Sequence, residues 1–161
     1  MNRIQVRNLA RLVACALFAT TPRGAPAQSP NTIEIVFDTG PHAGTHTLPA
    51  VDSLCVRTKA RRQLSAAYKN MGATDPRTVS ALSLVVSDAD AEGPRRGSLD
   101  VRFGDPDEKR PPTYEIAVPA AGKSTITVAR NGGITEIAFD GEAKDGVRIR
   151  VTARCASIDE L

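Results

Sequence analysis

The chain has 161 residues, 41% of them hydrophobic and 24% charged, which suits one soluble globular domain and is too apolar for a disordered chain. Its net charge of +3 comes from the start: residues 1–27 hold Arg3, Arg7, Arg11 and Arg23 and no acid, and the remainder holds 17 basic and 18 acidic residues. A near-neutral remainder, with 4% aromatic residues in the whole chain and no Trp, argues against nucleic-acid binding and against a sugar platform built on aromatic rings.

Residues 1–27 read as a secretory signal peptide. Arg3, Arg7 and Arg11 form a positive opening, Leu12 to Ala19 an apolar stretch, and Ala25-Pro26-Ala27 a small-x-small cleavage site. Cleavage there makes Gln28 the mature N-terminus and places residues 28–161, as a single domain, in the periplasm or outside the cell. The apolar run is far shorter than the ~20 residues that cross a bilayer, and no other span is long enough either, so no transmembrane segment is expected in the mature chain. Leu12-Val13-Ala14-Cys15 resembles a lipoprotein box, but Arg11 interrupts the apolar stretch that should precede the lipidated cysteine.

Cleavage leaves Cys55 and Cys155. A lone pair in an exported protein reads as a disulfide. Neither has a C-x-x-C partner, so the redox or metal alternative has no motif behind it.

Along the mature chain, Ile33, Ile35 and Phe37 alternate with Glu34 and Asp38, as in a half-buried strand. Thr39-Gly40-Pro41 ends it, and Thr45 to Ala50 returns as the second arm of a hairpin. Asp52 to Met71 fits both periods. Ala60, Leu64, Ala67, Tyr68 and Met71 fall at helical spacing, whereas Leu64, Ala66 and Tyr68 alternate. The surrounding pattern favours a strand over 63–69, with Arg57, Lys59, Arg61 and Arg62 in a solvated loop or strand end. Val79 to Ser87 reads as a central strand buried on both faces. Leu99, Val101 and Phe103 alternate next, then Tyr114, Ile116 and Val118, then Thr125 to Arg130, with the Pro-rich loop 105–112 among them.

The end of the chain is the most legible. Asn131-Gly132-Gly133 is a hairpin signal, since Asn and Gly tolerate positive φ. Lys144-Asp145-Gly146 fits a type I turn with a G1 bulge, which pairs Ala143 with Val147. That register sets Glu142 opposite Arg148, Asp140 opposite Arg150 and Glu136 opposite Arg154. A slip of one residue would set apolar against charged all along the hairpin. The fold class expected is all-β: an antiparallel β-sandwich, immunoglobulin-like or jelly-roll-like, with about eight or nine short strands and one disulfide.

Candidate chemistry is sparse. His42 and His46, with Asp38, could ligate zinc or copper, but no further ligand stands at motif spacing, and His46 shares a strand face with Leu48. Asp88, Asp90, Glu92 and Gly93 imitate the start of a calcium loop, yet Leu99 stands where a bidentate Glu is needed and Pro94-Arg95-Arg96 brings positive charge. Gly122-Lys123-Ser124-Thr125 echoes a P-loop ending, but its first glycine would fall at Ala117. No histidine accompanies a recognisable nucleophile motif. The expectation is therefore no catalytic residue and no cofactor; the alternative is a metal- or calcium-binding secreted protein, enzymes included, that uses His42 and His46 or the loop from Asp88 to Glu92. The sequence names no partner; another protein or an envelope component is the expectation, and Arg57 to Arg62 is the basic patch available to an acidic surface.

The stretch Thr125 to Cys155, with its Asn-Gly turn, its Asp145-Gly146 turn and a final alternating strand closing on a cysteine, resembles the ending of small secreted bacterial single-disulfide β-sandwich proteins of uncharacterised function. In plan the chain is also similar to a family of mycobacterial lipoproteins. The resemblance implies architecture and carries over no functional residue.

Overall fold

The computed structural model describes residues 30–91, 95–119 and 123–161. The leader with Cys15, the expected mature start Gln28, and Glu92 lie outside the described residues. Two sheets pack face to face around one aliphatic core, and the described segments contain no α-helix. The first sheet has the order β2 (Gly44–Leu48), β1 (Thr32–Phe37), β10 (Arg148–Cys155), β9 (Ile134–Glu142), β8 (Thr125–Asn131). The second has the order β11 (Asp159–Glu160), β3 (Ser53–Thr58), β4 (Gln63–Lys69), β5 (Val79–Ser87), β6 (Arg96–Phe103), β7 (Thr113–Val118). All pairings are antiparallel except β11 with β3. The chain therefore makes a hairpin, crosses over, runs five strands as a meander, crosses back for three more, and returns to the second sheet with β11.

The ambiguous stretch resolves as strand. Leu64, Ala66 and Tyr68 are buried on one face of β4, because β3 and β5 on either side satisfy its backbone. Of the two places expected for the basic stretch, Arg57 takes the strand end, as the second-last residue of β3, and Cys55 lies in the same strand. Two expectations need correction. The pair Asp159–Glu160 adds an eleventh strand that is too short to show a pattern. On β5, Leu82, Leu84 and Val86 are buried, whereas Ala81, Ser83 and Val85 are half-exposed. Its second face is only partly covered, so a strand central within its sheet is here fully buried on one side alone.

The closing hairpin has the register its charges demand. Arg148 pairs with Glu142, Arg150 with Asp140 and Arg154 with Glu136. The turn holds Gly146 at φ 81°, with its N–H donating to the Ala143 carbonyl at 3.0 Å. The ion pairs do not all follow the ladder. Arg154 meets Glu136 directly, but Arg148 reaches diagonally to Asp140 (2.8 Å) and Arg150 turns to Asp38 on the neighbouring segment (2.6 Å). Strand twist brings one diagonal closer than the directly opposite residue, and arginine is long enough to use it. The Arg148 guanidinium holds the Asp140 carboxyl below the usual carboxylate range.

The layers cross steeply. Asn31 and Arg130 lie at the same end of the first sheet, since Thr32, Arg154, Glu136 and Ala129 form one cross-strand row. Yet Asn31 donates to the carbonyl of Ser53 at 3.4 Å, while Arg130 and Arg57 share the carboxylate of Asp90. Ser53 and Arg57 are at opposite ends of β3, so rows of one sheet run along strands of the other. Close approach requires a small residue at the contact. A Cβ on Gly97 would lie 2.0 Å from the Val85 carbonyl oxygen and 2.7 Å from Cδ1 of Ile126, which places the start of β6 beneath β8. Cys55 and Cys155 are bonded between the two sheets, with Cα atoms 5.8 Å apart and both residues buried.

Candidate functional site

The β1–β2 hairpin carries both histidines into an aromatic corner. His46 is opposite Ile35, so its ring points inward and lies edge-on to Phe37, with centroids 5.6 Å apart. His42, in the connecting turn, stacks on Phe103 of β6 with centroids 3.7 Å apart and planes inclined by 16°. Phe37 and Tyr114 close the cluster. Nε2 of His46 is 2.9 Å from the His42 carbonyl oxygen and donates to it, so that nitrogen is occupied. His42 is only 8% exposed, and its Nδ1 has no hydrogen-bond partner. Burial, reinforced by the nearby charges of His46 and Arg77, pushes the His42 pKa below 6.5. The ring is thus held neutral, as one more flat member of an aromatic cluster. Asp38 is bound to Arg150 and does not join the histidines.

The acidic loop after β5 is likewise taken up by arginines. Asp90 lies between Arg57 and Arg130, and the hydrogen bond from Arg130 is the main reason its carboxyl is held below the usual range. Asp88 adopts φ 50° and sits 3.4 Å from Nε of Arg62. Arg95 donates to the carbonyls of Asp88 (3.1 Å) and Ala89 (2.8 Å). Guanidinium groups thus occupy the oxygens a calcium ion would need. Among the described residues, no three His, Cys, Asp or Glu side chains come together to hold a metal ion. No helix among them is long and apolar enough to cross a membrane.

The basic stretch is divided by the fold. Arg57 joins β3 and binds Asp90, Lys59 pairs with Glu160 of β11, and Arg62 makes a left-handed turn at φ 51° beside Asp88. A hollow of about 270 Å³ lined by Arg57, Lys59, Arg62, Gln63, Asp90 and Glu160 lies at this corner.

Two features had little signal in the sequence. His42 reaches Phe103 across more than sixty residues of chain, and no local pattern pointed to that contact. Ser80 is the extra residue where the pairing of β5 with β6 shifts, and its buried hydroxyl has no partner. Compared with family models, with curated proteins and with solved structures, the chain finds no match in any of the three.

Proposed function

We propose that the protein is a non-catalytic, exported β-sandwich that acts by surface contact, as a binding or envelope-associated module. One observation carries this reading. The side chains best suited to chemistry are engaged in packing or ion pairs: His42 on Phe103, His46 on a backbone carbonyl, Asp88 and Asp90 among arginines. The cysteines form a clamp between layers rather than a reactive thiol. The leader, the near-neutral mature charge and the disulfide all suit an oxidising compartment outside the cytoplasm.

The test is affinity capture on the immobilised mature protein, using envelope and secreted fractions of its own organism, with and without a chelator. Saturable retention of a defined component, unchanged by the chelator, is the expected result. Retention that depends on calcium or zinc and disappears in Asp88→Ala/Asp90→Ala or His42→Ala/His46→Ala would replace this reading with the metal-binding one.

A further inference from the structure

Four strands bound the two sheets, and three of them are blunted. β11 has two residues, both acidic. β7 follows Pro111-Pro112, precedes Pro119 and carries Glu115 at its centre. β2 has five residues, begins with Gly44 at φ 128° and stops at Pro49. Short strands, prolines and central charges are the usual means of preventing edge pairing. β8 has none of them: it runs seven residues, and Thr125 to Ala129 contains neither proline nor charge.

Its register shows which groups are free. Asn131 and Ile134 flank the two-residue Gly132-Gly133 turn, whose φ values are 57° and 84°, so they form a hydrogen-bonded pair. Alternation then gives the bonds to β9 to Thr125, Thr127, Ala129 and Asn131. Ile126, Val128 and Arg130 direct N–H and C=O outward, and no other backbone bond among the described residues uses them.

The acids beside this edge, Asp90 on Arg130, Glu136 opposite Ala129 and Asp140 opposite Thr125, are each paired with an arginine, which leaves a basic excess. Lys123 stands before the strand and Arg130 near its end, and the Asp90 bridge from Arg130 to Arg57 fixes the β3–β4 corner beside it. Gly97 lies beneath Ile126, which brings Arg96 to the same side. Arg61, Arg96 and Lys123 have no carboxylate partner among the described residues, and all three are exposed. A second copy paired through β8 would set two such basic corners against each other. An acidic strand meets no such penalty.

We propose that β8 is a docking edge that takes an extended acidic peptide segment of a partner as a sixth strand of the first sheet, with Lys123, Arg96 and Arg61 receiving its carboxylates. This rests on the surface-binding reading and names its partner class. The segment needs alternate residues whose N–H and C=O meet those of Ile126, Val128 and Arg130, and acids toward its ends.

The experiment uses the purified exported protein and a fluorescent ten-residue peptide of alternating Thr and Val with two Asp at each end. Saturable binding by anisotropy is expected. Methylating the peptide nitrogens that face β8 should weaken it about tenfold or more, the size of one or two lost hydrogen bonds. Val128→Pro should do the same, because that N–H faces away from β9 and its loss leaves the ladder intact. Lys123→Glu/Arg96→Glu should weaken binding of the Asp-ended peptide and shift the preference toward a Lys-ended one. Absence of saturable binding, or equal binding of the methylated peptide, overturns the proposal. So does a dimer in sedimentation that Val128→Pro dissociates, since a second copy would then hold the edge. Capture of an envelope component that survives Val128→Pro would overturn this edge and leave the surface-binding reading standing.

Discussion

Cys55→Ala/Cys155→Ala should lower unfolding stability by about 4 kcal/mol, read as a lower urea midpoint, with an intact all-β circular dichroism spectrum in water. The bond spans 100 residues and encloses every strand from β4 to β9. Its removal frees the unfolded ensemble of a long closed loop, and that entropy is the main term. Ala rather than Ser is the informative replacement, since both sites are buried and a new hydroxyl would add its own penalty. The native state retains five- and six-stranded sheets without the bond, so the fold itself should persist. A loss below about 1 kcal/mol would mean that the unfolded chain is already restrained, or that the two layers do not depend on the clamp.

The second large effect concerns His42. Truncation to Ala should cost about 2–3 kcal/mol at neutral pH, because a stacked ring leaves a void among Phe37, Phe103 and Tyr114. His42→Phe should keep the stack, remove the unpartnered Nδ1 and match or exceed the wild-type stability. The two proteins should differ in pH dependence. Burial lowers the folded-state pKa of His42 below 6.5, so the neutral ring is favoured by folding. Its contribution is complete above pH 6.5 and is lost as pH falls through the lower, folded-state value. The stability difference between His42→Phe and wild type should therefore widen on going from pH 7.5 to 5. His46 and Arg77 face this ring and remain in both proteins, so the comparison isolates His42. A constant difference across that range would show that the ring is not held neutral by its surroundings.

Legibility followed how local each cause is. The β9–β10 hairpin could be read to the residue, because a type I turn with a bulge and three opposite-charge pairs leave one register. β4 was legible against a competing helical spacing because Leu64, Ala66 and Tyr68 continue the alternation of their neighbours. β3 was hidden by Arg57, whose long side chain can leave a strand for an ion pair, and by the basic turn from Lys59 that follows it. The two-sided burial expected for β5 failed because run length reports apolar content, not which layer covers the second face. At the candidate sites, sequence spacing could place Asp88 and Asp90 in one loop, but not bring Arg130 to them across forty residues. The stacking of His42 on Phe103 depends on the crossing of two layers, which no local pattern encodes.

An exported chain that folds as two crossed β-layers tied by one bond has a defined mass and no free thiol. Intact-mass analysis of the protein recovered outside the cytoplasm, after expression of the full sequence, tests this directly. The expected species begins at Gln28 or its cyclised form, lacks two hydrogens, and gains no alkyl group until reduced. A full-length chain retained inside the cell with two alkylatable thiols, or a lipid mass on Cys15, would contradict it.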